Sequence, residues 1–250
     1  MEMNAYLRGI ALQRDEVPSF AEYPFQLPAV ATLGQLKFHP KVTYIVGENG
    51  MGKSTLLEAI AVALGFNPEG GTLNFSFATA ETHSELHRYL RTARGAVRPR
   101  DGFFFRAESY YNLATEIDAL DREPSFSRPI KDSYGGQSLH TMSHGESFFA
   151  TFLNRFGGRG LYILDEPEAA LSPYRQMAML SRIHELVGRH SQFIISTHSP
   201  ILMAYPDSLM YRLTPEGIEE TTLEETDHYI IMKEFVNNRE GMLKELLKEE

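Results

Sequence analysis

Gly47-Glu48-Asn49-Gly50-Met51-Gly52-Lys53-Ser54 is the stretch on which the reading of this chain turns. Glycines at this density let the backbone curl until several N–H groups face one anion. The run closes on a lysine and a hydroxyl residue. Lys53 has the reach to meet β- and γ-phosphate oxygens, and the Ser54 hydroxyl suits Mg2+. The flanks agree with this. Lys41-Val42-Thr43-Tyr44-Ile45-Val46 is rich in β-branched and aromatic side chains and predicts a buried strand. Residues 54–64, with Thr55 in the first turn, repeat apolar side chains at helical spacing until Gly65 and Pro68 stop the pattern. Strand, glycine loop and helix in that order aim a helix N-terminus at phosphate.

The bulk numbers narrow the rest. A chain of 250 residues with 42% hydrophobic content can bury one large core, with room for a small lobe. Lys plus Arg number 24 and Asp plus Glu 33, a net charge of −9, which argues against a surface that coats nucleic acid. With no cysteine, disulfides, zinc-thiolate sites and thiol catalysis are excluded, and a reducing compartment is compatible. Met1-Glu2-Met3-Asn4 lacks a basic region followed by an apolar run, and no stretch approaches 18 uninterrupted apolar residues. A cytoplasmic protein is expected, and any work at a membrane needs another chain to span it.

Before the glycine loop, residues 5–12 predict an edge strand, and Pro18, Pro24 and Pro28 a meandering lead-in. Tyr23, Phe25 and Phe38 either pack the core or offer a face to a nucleotide base. Beyond the loop, residues 73–77 alternate as a strand, and 82–92 predict a helix. Arg91, Arg94, Arg98 and Arg100 form the densest basic run, either a solvated face or a phosphate contact. Residues 102–108 predict a buried strand that ends at Arg106 and Glu108, and 109–121 a helix. Residues 210–213 and 218–222 predict a terminal hairpin, and 227–249 one helix with a charged end.

Strand ends and helix starts supply three further sites. Ser143 and Glu146 have the spacing of a capping box at a helix N-terminus that favours anions. Gly160-Leu161-Tyr162-Ile163-Leu164-Asp165-Glu166 is an apolar strand ending in two acids, at the edge where open parallel sheets hold ligands. Asp165 suits the Mg2+ shell, and Glu166 suits the orientation and deprotonation of an attacking water. Residues 192–196 predict another buried strand, and His198 just past it takes the same topological place.

In that order the motifs resemble those of the ATP-binding cassette (ABC) ATPases across about residues 40–200. The phosphate loop is 47–54. Met142-Ser143-His144-Gly145-Glu146 is similar to the Leu-Ser-Gly-Gly-Gln signature, Asp165-Glu166 to the metal and base motif, Glu168-Ala169-Ala170-Leu171-Ser172 to the D-loop, and Thr197-His198 to the switch histidine. More narrowly, the chain resembles small stand-alone predicted ATPases with a Ser-His-Gly-Glu-Ser signature. The resemblance implies an α/β P-loop fold: a mostly parallel central sheet, an antiparallel β edge and a helical or signature lobe near 80–157, in one domain spanning 1–250. It implies ATP and Mg2+ as ligands, bound by Gly47, Glu48, Asn49, Gly50, Met51, Gly52, Lys53, Ser54 and Thr55, with Ser54, Asp165 and Glu108 toward the metal. It gives catalytic roles to Lys53, Glu166 and His198. It also implies a head-to-tail homodimer in which Ser143, Gly145 and Glu146 complete the partner's site.

His144 replaces a signature glycine, Glu146 a glutamine and Ser172 the D-loop aspartate. Without a clear glutamine after residues 102–106, Glu108 or Arg106 is left for its metal- and water-linked role. The expected function is Mg-dependent ATP hydrolysis that switches a cytosolic assembly, with DNA repair and defence as settings and the protein partner unknown. The alternatives are the energising subunit of a membrane transporter and a non-hydrolysing ATP sensor.

Overall fold

Apolar side chains alternate in destination along the central strands, and this builds a sheet with a core on each face. In the third strand, Val42, Tyr44 and Val46 join one core and Ile45 the other. Phe103 and Phe105 part from Phe104 in the same way, as do Tyr162 and Leu164 from Leu161 and Ile163, and Phe193 and Ile195 from Ile194. Such a sheet is covered on both sides, as the near-continuous apolar runs of the sequence require.

The computed structural model describes residues 5–73, 84–122, 129–134, 136, 140, 144–169 and 171–248, the side chains of Leu113 and His144 excepted. In chain order the elements are β1 (Leu7–Leu12), α1 (Pro28–Ala31), β2 (Gln35–Lys37), β3 (Val42–Gly47), α2 (Lys53–Leu64), β4 (Leu90–Arg94) and β5 (Asp101–Arg106). Then come α3 (Tyr110–Leu120), α4 (His144–Arg155), β6 (Gly160–Asp165), α5 (Pro173–Gly188), β7 (Gln192–Ser196) and α6 (Pro200–Met203). The chain closes with β8 (Leu209–Thr214), β9 (Gly217–Glu220), α7 (Asp227–Asn237) and α8 (Arg239–Leu246). The large sheet has the order β5-β6-β7-β3-β8-β9, parallel except for β9. A second, antiparallel sheet has the order β2-β1-β4. This is the mixed α/β P-loop architecture with a mostly parallel sheet that the motifs implied.

The core on one face is aromatic: Tyr110, Phe148, Phe152 and Phe156 from α3, α4 and the turn after α4 meet Phe103, Phe105 and Tyr162 from the sheet. Phe156 stacks on Tyr162 at 4.3 Å between ring centroids. The core on the other face holds α2, through Leu56, Leu57 and Ile60, and the inner side of the small sheet.

Three expectations need correction. Residues 5–12 form no edge strand, because Gly9 pairs with Lys37 on one side and Ala93 on the other. At three residues, β2 is too short to show a period. In place of the helix at 82–92, a 3-10 turn over Glu85–Tyr89 leads into β4. Leu86 and Leu90 are both buried at a spacing of four, which mimics a helical face, but the backbone beyond them bonds to β1. The single helix at 227–249 breaks at Asn238, whose φ of −136° and ψ of 44° are not helical. The expected strand at 73–77 falls beyond the described residues apart from Leu73, and the segment 80–157 contributes β4 and β5 as well as α3 and α4.

Candidate functional site

The carboxyl ends of β3, β6 and β7 carry the chemistry, and sheet register brings them level. Ile45 and Asp165 both pair with Ser196, and Asp165 pairs on its other side with Arg106. The loops leaving these strands therefore open onto one edge of the sheet.

From β3 the chain enters the glycine loop. Gly50 and Gly52 take φ of 81° and 91°, where a Cβ is strained. Gly52 is the N-cap of α2, and no side chain among the described residues caps that helix, so its first N–H groups remain open to an anion. Met51 turns inward against the core. Lys53 is buried, and its Nζ donates to the carbonyls of Gly47 at 2.9 Å and Glu48 at 3.1 Å. Burial holds the Lys53 ammonium below its ordinary range, against the pull of Glu166, Asp165, Glu48 and Glu168. An ammonium in acidic company, propped on two carbonyls, is placed to exchange those acceptors for phosphate oxygens.

Asp165 ends β6 almost fully buried. Its Oδ1 accepts from the Ser196 hydroxyl at 2.5 Å and the Ser54 hydroxyl at 3.2 Å. Burial pushes its carboxyl up, and the two hydroxyls and Arg106 oppose this. A carboxylate next to the loop serine is the hard oxygen set that Mg2+ takes when phosphates supply the remaining ligands, so these residues fit the ion. Glu166 comes next at φ 49°, in the left-handed region, with its N–H donating to the Ser196 carbonyl and hydroxyl, each at 3.1 Å. That pair of bonds turns the chain at the strand end and brings the Glu166 side chain to the cleft.

His198 Nε2 lies 3.3 Å from Glu166 Oε1 but out of line for a hydrogen bond, and it has no other partner among the described residues. The His198 backbone N–H donates to Glu168 Oε1 at 2.5 Å. Glu168 is buried enough that its carboxyl is pushed up. Burial, then the Lys53 charge, keep the His198 imidazole below its ordinary range, so it is neutral near pH 7. Its Nδ1 meets His228 Nε2 at 2.8 Å.

A cleft of about 500 Å³ is lined by Tyr23, Leu27, Asn49, Gly50, Gly52, Lys53, Ser54, Thr55, Glu108 and Glu166. Sequence left Tyr23, Phe25 and Phe38 undivided. Phe25 and Phe38 are core, whereas Tyr23 is 60% exposed at the cleft, its hydroxyl 3.2 Å from that of Thr55. Glu108 stands on the rim with its side chain 84% exposed. Arg106 pairs with Glu58 on α2 at 2.5 Å through Nη1 and lies 3.5 Å from Glu108 through Nη2.

Gly145 and Glu146 open α4, and neither lines this cleft; Gly145 is buried, and Glu146 lies 3.5 Å from Arg175. Ser143 and the proposed capping box fall outside the described residues. Ser172 is the N-cap of α5 and accepts from the Arg175 N–H, a role that the aspartate expected from the resemblance fills equally well. Ser196, Glu168 and His228 were missed. Of these, only Glu168 sat in a motif, and the other two become neighbours of the site through folding alone.

Residues 32–142 match a family described as an AAA domain, less than half of the chain. The chain is 24% identical over 229 residues to a vitamin B12 import ATP-binding protein of Vibrio cholerae serotype O1, covering 84% of this chain and 81% of that one. Among solved structures, an ATP-binding cassette of an ABC transporter matches with a TM-score of 0.50 and 17% identity, over 95% of this chain and 97% of the other. The SMC head domain of Thermotoga maritima matches at 0.43 and 18%, over 86% and 98%.

Proposed function

We propose, from the premise that this chain is an ABC-type P-loop ATPase in fold and in motif order, that it binds ATP in the cleft and hydrolyses it. The observation that carries the reading is the convergence of Lys53, Ser54, Asp165, Glu166 and His198 at one sheet edge. The loop amides of 47–52 and the uncapped start of α2 receive the β- and γ-phosphates, and Lys53 neutralises charge as it develops on their oxygens. Glu166 orients water and takes its proton, and its left-handed backbone holds it there. His198 donates to the γ-phosphate from Nε2, the nitrogen that lies 3.3 Å from Glu166 Oε1. Asp165 and Ser54 would hold Mg2+, with Glu108 as its outer contact; bound there, the ion would spread the charge of the transferring phosphoryl group. Tyr23, exposed at the mouth of the cleft, offers the base a stacking face.

Gly145 and Glu146 lie off the cleft, which supports a site completed by Ser143, Gly145 and Glu146 of a second copy. Hydrolysis would then release one copy from the other and move a bound partner. A cytoplasmic assembly, in DNA repair or defence, is the setting we favour, and the domain spans 1–250. The vitamin B12 import relative favours a second setting, the energising subunit of a transporter. No helix among the described residues is long and apolar enough to cross a membrane, so that setting requires a spanning partner, and its co-purification would decide for it.

The primary test is Lys53→Ala, with MgATP binding followed by titration calorimetry. Loss of charged hydrogen bonds to phosphate weakens binding roughly 100-fold. Unchanged affinity would remove the loop from the site. Zero turnover by the wild type with intact binding would convert the reading to that of an ATP sensor.

A further inference from the structure

We infer that His228, at the start of α7, is a positioning residue for His198, donating its Nε2–H to His198 Nδ1 and so holding the His198 proton on Nε2, on the side of Glu166. The inference rests on the ATPase reading for its purpose and on the geometry of the two rings and Glu166 for its content.

The two ring nitrogens are 2.8 Å apart and the ring centroids 4.8 Å, at 58° between planes. One proton lies between those nitrogens, and either ring can be its donor. The far side of His198 decides which. Nε2 is buried, has no hydrogen-bond partner among the described residues and sits 3.3 Å from a Glu166 carboxylate oxygen. A lone pair on Nε2 would face that oxygen's negative charge, whereas an N–H there is attracted to it. With the His198 proton on Nε2, Nδ1 can only accept, and His228 must donate. His228 donates from Nε2 in that neutral tautomer and in the imidazolium alike.

The fold holds His228 in place for this. Thr226 is 1% exposed; its hydroxyl donates to the Leu223 carbonyl at 2.7 Å and accepts from the Tyr229 N–H. The Glu225 carbonyl in turn accepts from Arg212 of β8 at 3.0 Å. The first turn of α7 is thus tied to the sheet. No residue of α7 itself is buried, so this tie and the histidine contact fix where the helix begins.

The test is imidazole 15N–1H long-range correlation spectroscopy on nucleotide-free protein near pH 7.5, in the wild type, His228→Gln and His228→Phe, with His198→Gln to assign the signals. The wild type is expected to show His198 as the Nε2–H tautomer. His228→Gln retains an amide donor and is expected to keep that pattern. His228→Phe retains a ring but no donor and is expected to give a tautomer mixture. Steady-state ATP turnover read in parallel should fall about tenfold in His228→Phe with KM within about threefold, and recover in His228→Gln, as for partners that fix a histidine tautomer elsewhere. A wild-type His198 with its proton on Nδ1 would overturn the inference, as would a His228→Phe spectrum identical to the wild type. Because the spectrum needs no nucleotide, a wild type that showed the expected tautomer and no turnover would sink the ATPase reading and leave the assignment standing.

Discussion

Glu166 holds φ at 49°, a conformation that costs a residue with a Cβ roughly 1–2 kcal/mol, and the two bonds from its N–H to Ser196 offset that cost. The same Ser196 hydroxyl donates to Asp165, so one side chain positions both acids. Its removal separates positioning from phosphate binding. Ser196→Ala deprives Asp165 of a bond that lowers its pKa, so a carboxyl already pushed up by burial moves further up and becomes a poorer ligand. The Mg2+ concentration for half-maximal turnover should rise about tenfold, with ATP affinity measured without metal little changed. An unaltered Mg2+ dependence would deny Ser196 this part. Lys53, Asp165 and Glu166 were legible in the sequence because their chemistry is local: a loop and a strand end specify them at fixed spacing. Ser196 was not, since a serine closing an apolar strand acquires meaning only from the register Asp165–Ser196. His228 is 30 residues from His198, and nothing in the spacing announces their contact.

Between elements, α2 must keep its angle to β5 if the phosphate loop is to stay level with the acids of β6. Glu58 of α2 and Arg106 of β5 form that tie at 2.5 Å, with side chains 9% and 18% exposed. Glu58 Oε1 also accepts from the Ser84 N–H. Without Glu58 the mostly buried Arg106 keeps only the Pro68 carbonyl at 3.4 Å and the exposed Glu108 at 3.5 Å, so Glu58→Ala is expected to cost about 3 kcal/mol, read as a lowered urea midpoint at constant m-value. The double variant Glu58→Leu, Arg106→Met should recover most of the loss. A loss below about 1 kcal/mol in Glu58→Ala would make the pair incidental. Sequence placed Arg106 at the ligand edge by the rule for strand ends; the rule located the residue, and the acid on the neighbouring helix took its guanidinium. In the large sheet β3, β6 and β7 were legible because they are mostly apolar, buried throughout, and lead into motif residues. The small sheet was not: β2 is three residues long, and β4 hid behind a leucine spacing that suits a helix. Chain pairing across about 80 residues, from β1 to β4, is a tertiary fact with no local signature.

At the scale of the molecule, the central question is whether one copy holds a complete site. The cleft is walled by the glycine loop, the start of α2, Tyr23, Leu27, Glu108 and Glu166, and no residue of α4 reaches it among those described. If the segment 143–146 meets the γ-phosphate, it must come from a second copy, because within one chain the opening of α4 packs beside α5 through Glu146 and Arg175. Two copies related by a twofold axis would place each α4 start against the other's cleft, an isologous arrangement that closes on itself. Bound ATP would then act as interface, and its hydrolysis would remove what joins the halves. Stopping the chemistry should trap that state. Glu166→Gln preserves size and hydrogen bonding but removes the base, so turnover should drop by about 10²–10⁴-fold while ATP still binds. On a sizing column coupled to light scattering, this variant should run at 28.3 kDa without nucleotide and at twice that mass with MgATP. Adding Lys53→Ala should return it to the smaller species at the same ATP concentration. A Glu166→Gln protein that binds ATP to saturation and remains at the single-chain mass would mean that one copy suffices, and the signature would lose its role in trans.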